Sequence, residues 1–313
     1  MRTNKRLLII FALTFLFSGG VIRTTAQEVV VAYADPVGSI IRYRVADGSE
    51  ISRIQRVYRV GATTYLPTMI GVADASSYIV VFGERFLARV RVTDGALVWV
   101  VDAGVALGLT TYFVADIAVA SGQIFLCNTD PGGRIAKYRA ADGALIWSTQ
   151  RAIQEGTLRH LPLRLAASGA DSVLVVLGSK YLSKVRQSDG TALTQMSIPL
   201  TYLAITWGIG DLASGSTGIT HVSNLDPTGT IRKFTDGGAL IWSVSQTYRV
   251  GLIRYLPTKL AAVGADPVMV LFGDRYLARM NATNGQILWT RDVGVTIGAT
   301  TYSAKDLAGI SSP

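Results

Sequence analysis

One cysteine and two histidines are all that this chain of 313 residues offers among the side chains most used as nucleophiles and metal ligands. A single thiol cannot form an internal disulfide. Cys127 sits in the apolar run Ile124-Phe125-Leu126-Cys127 and reads as a small buried hydrophobe. His160 and His221 have no Cys or Asp cluster around them at metal-ligand spacing, so neither a metal nor a cofactor is expected. Serine-nucleophile and Walker-type phosphate motifs are missing as well. No catalytic residue is expected from these absences.

Long apolar runs are scarce. The run Leu7 to Phe17 is 11 residues, too short to span a bilayer comfortably. It follows Arg2, Lys5 and Arg6 and precedes Thr24-Thr25-Ala26, the order of a secretory signal with small residues before the cut. Residues 1–26 are therefore expected to be a signal peptide and 27–313 a single domain, secreted or periplasmic, without a transmembrane span. No cysteine for lipid attachment lies near the cut. The first 26 residues carry four basic and no acidic side chains, so their removal lowers the net charge from +9 to +5. That mild excess is no nucleic-acid signature.

What the chain does have is a repeat. Asp-Gly or Asn-Gly turns, each followed by an apolar strand, place Gly48, Gly95, Gly143, Gly190, Gly238 and Gly285 at steps of 47, 48, 47, 48 and 47 residues. Between them lie short aliphatic and aromatic runs closed by turn residues, four per unit: 114–120, 124–129, 134–140 and 144–147 in one copy. Tight Asp-Gly hairpins and a fixed period of this length predict the four-stranded antiparallel blades of a β-propeller.

The units alternate. One type carries Gly83-Glu84-Arg85, Gly178-Ser179-Lys180 and Gly273-Asp274-Arg275; the other carries Asp35-Pro36, Asp130-Pro131 and Asp226-Pro227. Three pairs predict six blades. Residues 292–310 echo 102–120 and then break off, while 27–52 align with 123–148. The last blade is therefore expected to take its inner strand from the C-terminus and three strands from the N-terminus, which removes exposed sheet edges.

The hairpin texts Tyr138-Arg139-Ala140-Ala141-Asp142-Gly143-Ala144-Leu145-Ile146-Trp147 and Asn281-Ala282-Thr283-Asn284-Gly285-Gln286-Ile287-Leu288-Trp289 resemble the repeat of the pyrroloquinoline-quinone (PQQ)-like propellers. That superfamily holds quinoprotein dehydrogenases and the outer-membrane-assembly propeller lipoproteins. The resemblance covers 27–313, and its tryptophans (Trp99, Trp147, Trp242, Trp289) report fold rather than chemistry. The quinoprotein enzymes typically have eight blades, a calcium ion and often paired cysteines, none of which is expected here.

Two sets of residues recur in step with the blades. Tyr65, Tyr112, His160, Trp207, Tyr255 and Tyr302 precede each inner strand and could form an amphipathic collar at a channel mouth, or wedge between blades as packing. Four residues on stand Met69, Asp116, Arg164, Asp211, Lys259 and Asp306, so that acid and base alternate around the circle except at Met69. Asp116, Arg164, Asp211, Lys259 and Asp306 are expected to line the channel, either as blade-to-blade ion pairs or as a polar ligand or ion site.

The expectation is a monomeric, exported, non-catalytic binding or scaffold propeller meeting a cell-envelope protein or a carbohydrate at the collar. The alternative is an enzyme on the same fold, a quinoprotein-type oxidoreductase or a sugar or lactone hydrolase.

Overall fold

Strands account for all regular structure in the computed structural model, which describes residues 27–168, 171–178, 180–215, 219–235, 237–264 and 267–310. The expected leader, 1–26, lies outside the described residues. Six antiparallel four-stranded sheets form the predicted six-bladed propeller. From the channel outward, blade 1 contains Pro67–Asp74, Ser77–Phe82, Phe86–Arg91 and Leu97–Asp102. Blade 2 spans Val114–Ala120 to Leu145–Gln150, blade 3 Pro162–Ser168 to Ala192–Ser197, blade 4 Ile209–Ser214 to Leu240–Ser245, and blade 5 Pro257–Ala262 to Ile287–Asp292.

Burial grades outward in each blade. The second strand of blade 1, Ser-Tyr-Ile-Val-Val-Phe, is buried at every position because both its faces meet neighbouring blades. The outermost strands alternate between half-buried and exposed residues, as Leu145–Gln150 does. The core consequently lies between sheets. One cluster joins Met69, Ile79 and Leu87 of blade 1 to Ile117, Ile124 and Ala136 of blade 2. Cys127 is fully buried, as its surroundings imply, and burial pushes its thiol well above the ordinary range.

Blade 6 closes the circle as the repeat predicts. The C-terminal strand Ala304–Ile310 is innermost and pairs antiparallel with the N-terminal strand Glu28–Tyr33, from Glu28 opposite Ile310 to Tyr33 opposite Ala304. Ser39–Arg44 and Glu50–Gln55 complete the sheet. The Tyr33 hydroxyl locks this blade to blade 5 by donating to the Val293 carbonyl at 2.8 Å.

Tryptophans tie four of the six blades to the next. Trp99, Trp147, Trp242 and Trp289 donate Nε1–H to the carbonyls of Ala140, Gln187, Ala282 and Val45, at 3.0 to 3.2 Å. Gly143 lies beneath Trp99, where a Cβ would approach the indole to 2.9 Å, and its φ of +73° also favours glycine. Lys137 and Lys233 reinforce two of these carbonyls, Gln187 and Ala282.

One element is absent from the sequence expectation. Between the outer strand of each blade and the inner strand of the next stands a two-stranded hairpin, at 58–65, 105–112, 153–160, 200–207, 248–255 and 295–302. Five of the six turns place a glycine first, as a two-residue hairpin of the mirror-image type requires, and Gly61 shows φ +57°. The turn at 203–204 has none, so Leu203 and Ala204 themselves adopt φ of +51° and +61°. Antiparallel succession places all six hairpins on one face of the disc and all the Asp-Gly turns on the other.

Candidate functional site

The collar residues close the hairpins: each is the last residue of the second short strand and is half-buried. Tyr65, His160 and Tyr255 meet Phe86, Tyr181 and Tyr276 of the blade that follows, edge-on, with centroids 4.8, 5.1 and 4.8 Å apart. They also cover Gly83, Gly178 and Gly273, where any Cβ would collide with the ring. Tyr112, Trp207 and Tyr302 have no aromatic partner among the described residues, and the buried Trp207 Nε1 finds no acceptor there. Three rings thus anchor a hairpin to a blade through an aromatic contact, and the other three, equally half-buried, do so without one.

Charge at the top of the blade strands below the collar is paired. Arg85 grips Asp102 through both carboxylate oxygens, and Arg275 grips Asp292 in the same way. In blade 3 the equivalent acid is Ser197, so Lys180 turns to Glu155 at 2.7 Å, which also meets His160 Nε2 at 2.9 Å. The Lys180 ammonium, with help from Tyr181 and His160, draws the Glu155 carboxyl down to about 2. In the Asp-Pro turns the aspartates are buried, and Asp35, Asp130 and Asp226 accept backbone N–H bonds from Ser39, Arg134 and Thr230 at 2.9 Å.

The inner strands surround a central cavity of about 160 Å³. Each strand slips register by one residue just before this position, at Met69, Asp116, Arg164, Asp211, Lys259 and Asp306. Such a bulge re-aims the next side chain. The three aspartates use this to reach sideways: Asp306, Asp116 and Asp211 accept the backbone N–H of Ile70, Leu165 and Leu260 at 2.9, 2.8 and 2.8 Å. Each clamp crosses to the inner strand of the next blade, at three of the six blade junctions.

Ion pairs serve two of the remaining junctions. Arg164 Nε lies 3.6 Å from Asp211 Oδ1, and Lys259 Nζ lies 3.4 Å from Asp306 Oδ1. The third junction, between blades 1 and 2, has Met69 where a base would face Asp116. Burial, reinforced by the negative charges of Asp211 and Asp306 and only partly offset by Lys259 and Arg164, pushes Asp116 up to about 7. Burial also raises Asp211 despite the attraction of Lys259 and Arg164. For Lys259 burial acts downward, but Asp306, Asp211 and Asp116 together outweigh it and hold its ammonium above the usual range. The cavity is lined by two ion pairs and one buried aspartate without a facing base, and among the described residues no group of three His, Cys, Asp or Glu is arranged to hold a metal.

A profile of the outer membrane protein assembly factor BamB family matches residues 36–217, more than half of the chain. The chain belongs to this family. The solved structure of BamB from Moraxella catarrhalis is 14% identical over 84% of this chain and 75% of that one, with a TM-score of 0.46. A protein of unknown function from Bacteroides caccae is 10% identical over 91% of this chain and 99% of that one, with a TM-score of 0.57, a likeness of fold alone. No curated protein matches the sequence. Among the described residues no helix is long and apolar enough to cross a membrane.

The hairpins and the bulges escaped the sequence reading. Glycine six residues after Asp102, in Val105-Ala106-Leu107-Gly108-Leu109, is the signal that could have revealed the first. The bulges leave no residue signature.

Proposed function

We propose that the protein is an exported, non-catalytic scaffold of the cell envelope that engages its partner, an envelope protein or a carbohydrate, on the face that carries the hairpins and the collar. Membership of the BamB family supports an envelope setting and a scaffold role. The observation that carries the choice of face is the division of labour among polar groups. The channel aspartates are committed to the N–H groups of Ile70, Leu165 and Leu260, whereas the half-buried rings of Tyr112, Trp207 and Tyr302 have no aromatic partner among the described residues. Aromatic rings with polar tips suit sugars and peptide backbones alike.

We assign Asp116, Arg164, Asp211, Lys259 and Asp306 to holding the ring closed. Asp211→Asn is then expected to lower the melting temperature and leave partner capture unchanged. A photo-reactive side chain at Trp207 or Tyr112 should cross-link to envelope material, whereas one at Asp142, on the opposite face, should not. Labelling from Asp142 alone would overturn the choice of face, and a glycan array divides carbohydrate from protein.

A further inference from the structure

Every hairpin carries an exposed apolar residue at its tip. Val60, Leu109, Leu158, Leu203, Leu252 and Ile297 stand at or beside the six turns, and Leu109 and Leu252 are fully exposed. Single exposed leucines are ordinary, but one on each of six like elements on one face is a patterned surface. Beneath the tips sits a second layer. Arg59, Arg159 and Arg249 are exposed and make no ion pair or hydrogen bond among the described residues, and Arg254 touches only the Pro227 carbonyl. Glu155 is the single acid on the hairpins, and Lys180 already neutralises it. The half-buried aromatic collar forms the third layer.

The opposite face makes a useful contrast. It too exposes leucines, Leu145 and Leu240 among them, but there Arg44, Arg91, Arg139 and Arg186 each pair with an aspartate three residues on. Among the described residues, the hairpin face thus sets exposed apolar groups beside unpaired positive charge, where the opposite face sets them beside ion pairs. Apolar tips backed by cations match a bilayer surface, where acyl chains lie beneath anionic phosphates. Isolated knobs suit a deformable plane of lipid better than a protein, which would need six matching sockets.

We propose that the six hairpins are a crown that seats this propeller on an anionic lipid surface, with the tips inserted among the headgroups and the hairpin arginines on lipid phosphates. The inference rests on the hairpin face being the contact face and adds what that face stands on. Seated this way, the collar faces whatever the membrane displays inside the crown.

The test is co-flotation with vesicles of phosphatidylcholine alone or with a third phosphatidylglycerol, comparing the unaltered chain with Leu109→Asp/Leu252→Asp and with Arg59→Gln/Arg249→Gln. Residues 1–26, where still present, add equally to every sample, so differences between chains are read. Binding to the anionic vesicles is expected, with a loss of about tenfold for each leucine removed. The arginine pair should weaken binding and its salt dependence, each charge counting for several-fold near the surface. Unchanged melting temperatures for both variants keep the comparison clean, since all four side chains are solvent-exposed. Equal binding by all three chains, no binding at all, or equal affinity for neutral vesicles would overturn the proposal. Cross-linking of a protein from the crown without flotation would overturn the lipid assignment while leaving the contact face standing.

Discussion

Met69→Lys completes a pattern that the chain leaves unfinished, and its effect must change sign with pH. Arg164 and Lys259 face the aspartates of the following blade, and a lysine at 69 would face Asp116 in the same register. Asp116 holds its proton up to about pH 7 when folded, against an ordinary value of 3.8. That difference is worth about 4 kcal/mol. Since the folded chain binds the extra proton, stability falls as pH rises between roughly 4 and 7, and the full cost is present above 7. An ammonium about 4 Å away returns roughly 4 kcal/mol at an effective dielectric near 20, less a desolvation cost of several kcal/mol that its neighbours Asp211 and Asp306 soften. A net gain of about 1–2 kcal/mol at pH 8 is expected, or roughly 2–3 °C in melting temperature for a domain of this size. At pH 5 the parent's Asp116 keeps its proton at no cost, so the lysine either lies buried without a partner or must draw that proton off at about 3 kcal/mol, and the variant should melt below the parent. Thermal melts at the two pH values read this directly. An equal shift at both, in either direction, would refute the missing-partner account of Asp116.

Other expectations follow from single residues. Ala204→Gly removes a left-handed alanine from the fourth hairpin turn and should stabilise by about 1 kcal/mol, read by chemical denaturation; a loss would mean that the turn is not strained. Trp147→Phe leaves the Gln187 carbonyl with Lys137 alone and opens space over Gly190, and should cost about 2–3 kcal/mol. The same change at Thr194, the equivalent position of blade 3, should be near neutral, because no indole bridge exists there.

Period, blade number and circular closure were legible because each is a property of spacing: six glycines in step, and two termini whose texts complete one unit. The tryptophans were legible as packing, though not as donors, since the Ala140 carbonyl that Trp99 reaches belongs to the next repeat. The clamps were hidden for a related reason. Asp116 looks in sequence like half of an ion pair, yet its partner is a backbone N–H at Leu165, and every residue type offers one. The bulges at Thr68, Ala115 and Leu163 arise from packing between blades and carry no residue preference. The hairpins hid because their strands are three residues long, and Val105 to Tyr112 reads equally well as a connection. Met69 was visible as an exception, but its consequence required the geometry that leaves Asp116 alone.

Closure is tested most directly by joining the two ends of the chain. Glu28 and Ile310 are Cα partners in blade 6, so Glu28→Cys with Ile310→Cys should oxidise to a monomeric disulfide with faster non-reducing mobility, leaving buried Cys127 reduced. The bond should also raise the melting temperature, since it closes a loop of nearly the whole chain and such links add about 2–4 kcal/mol. Failure to oxidise, or formation of dimers alone, would place the termini apart and contradict the closed six-bladed ring.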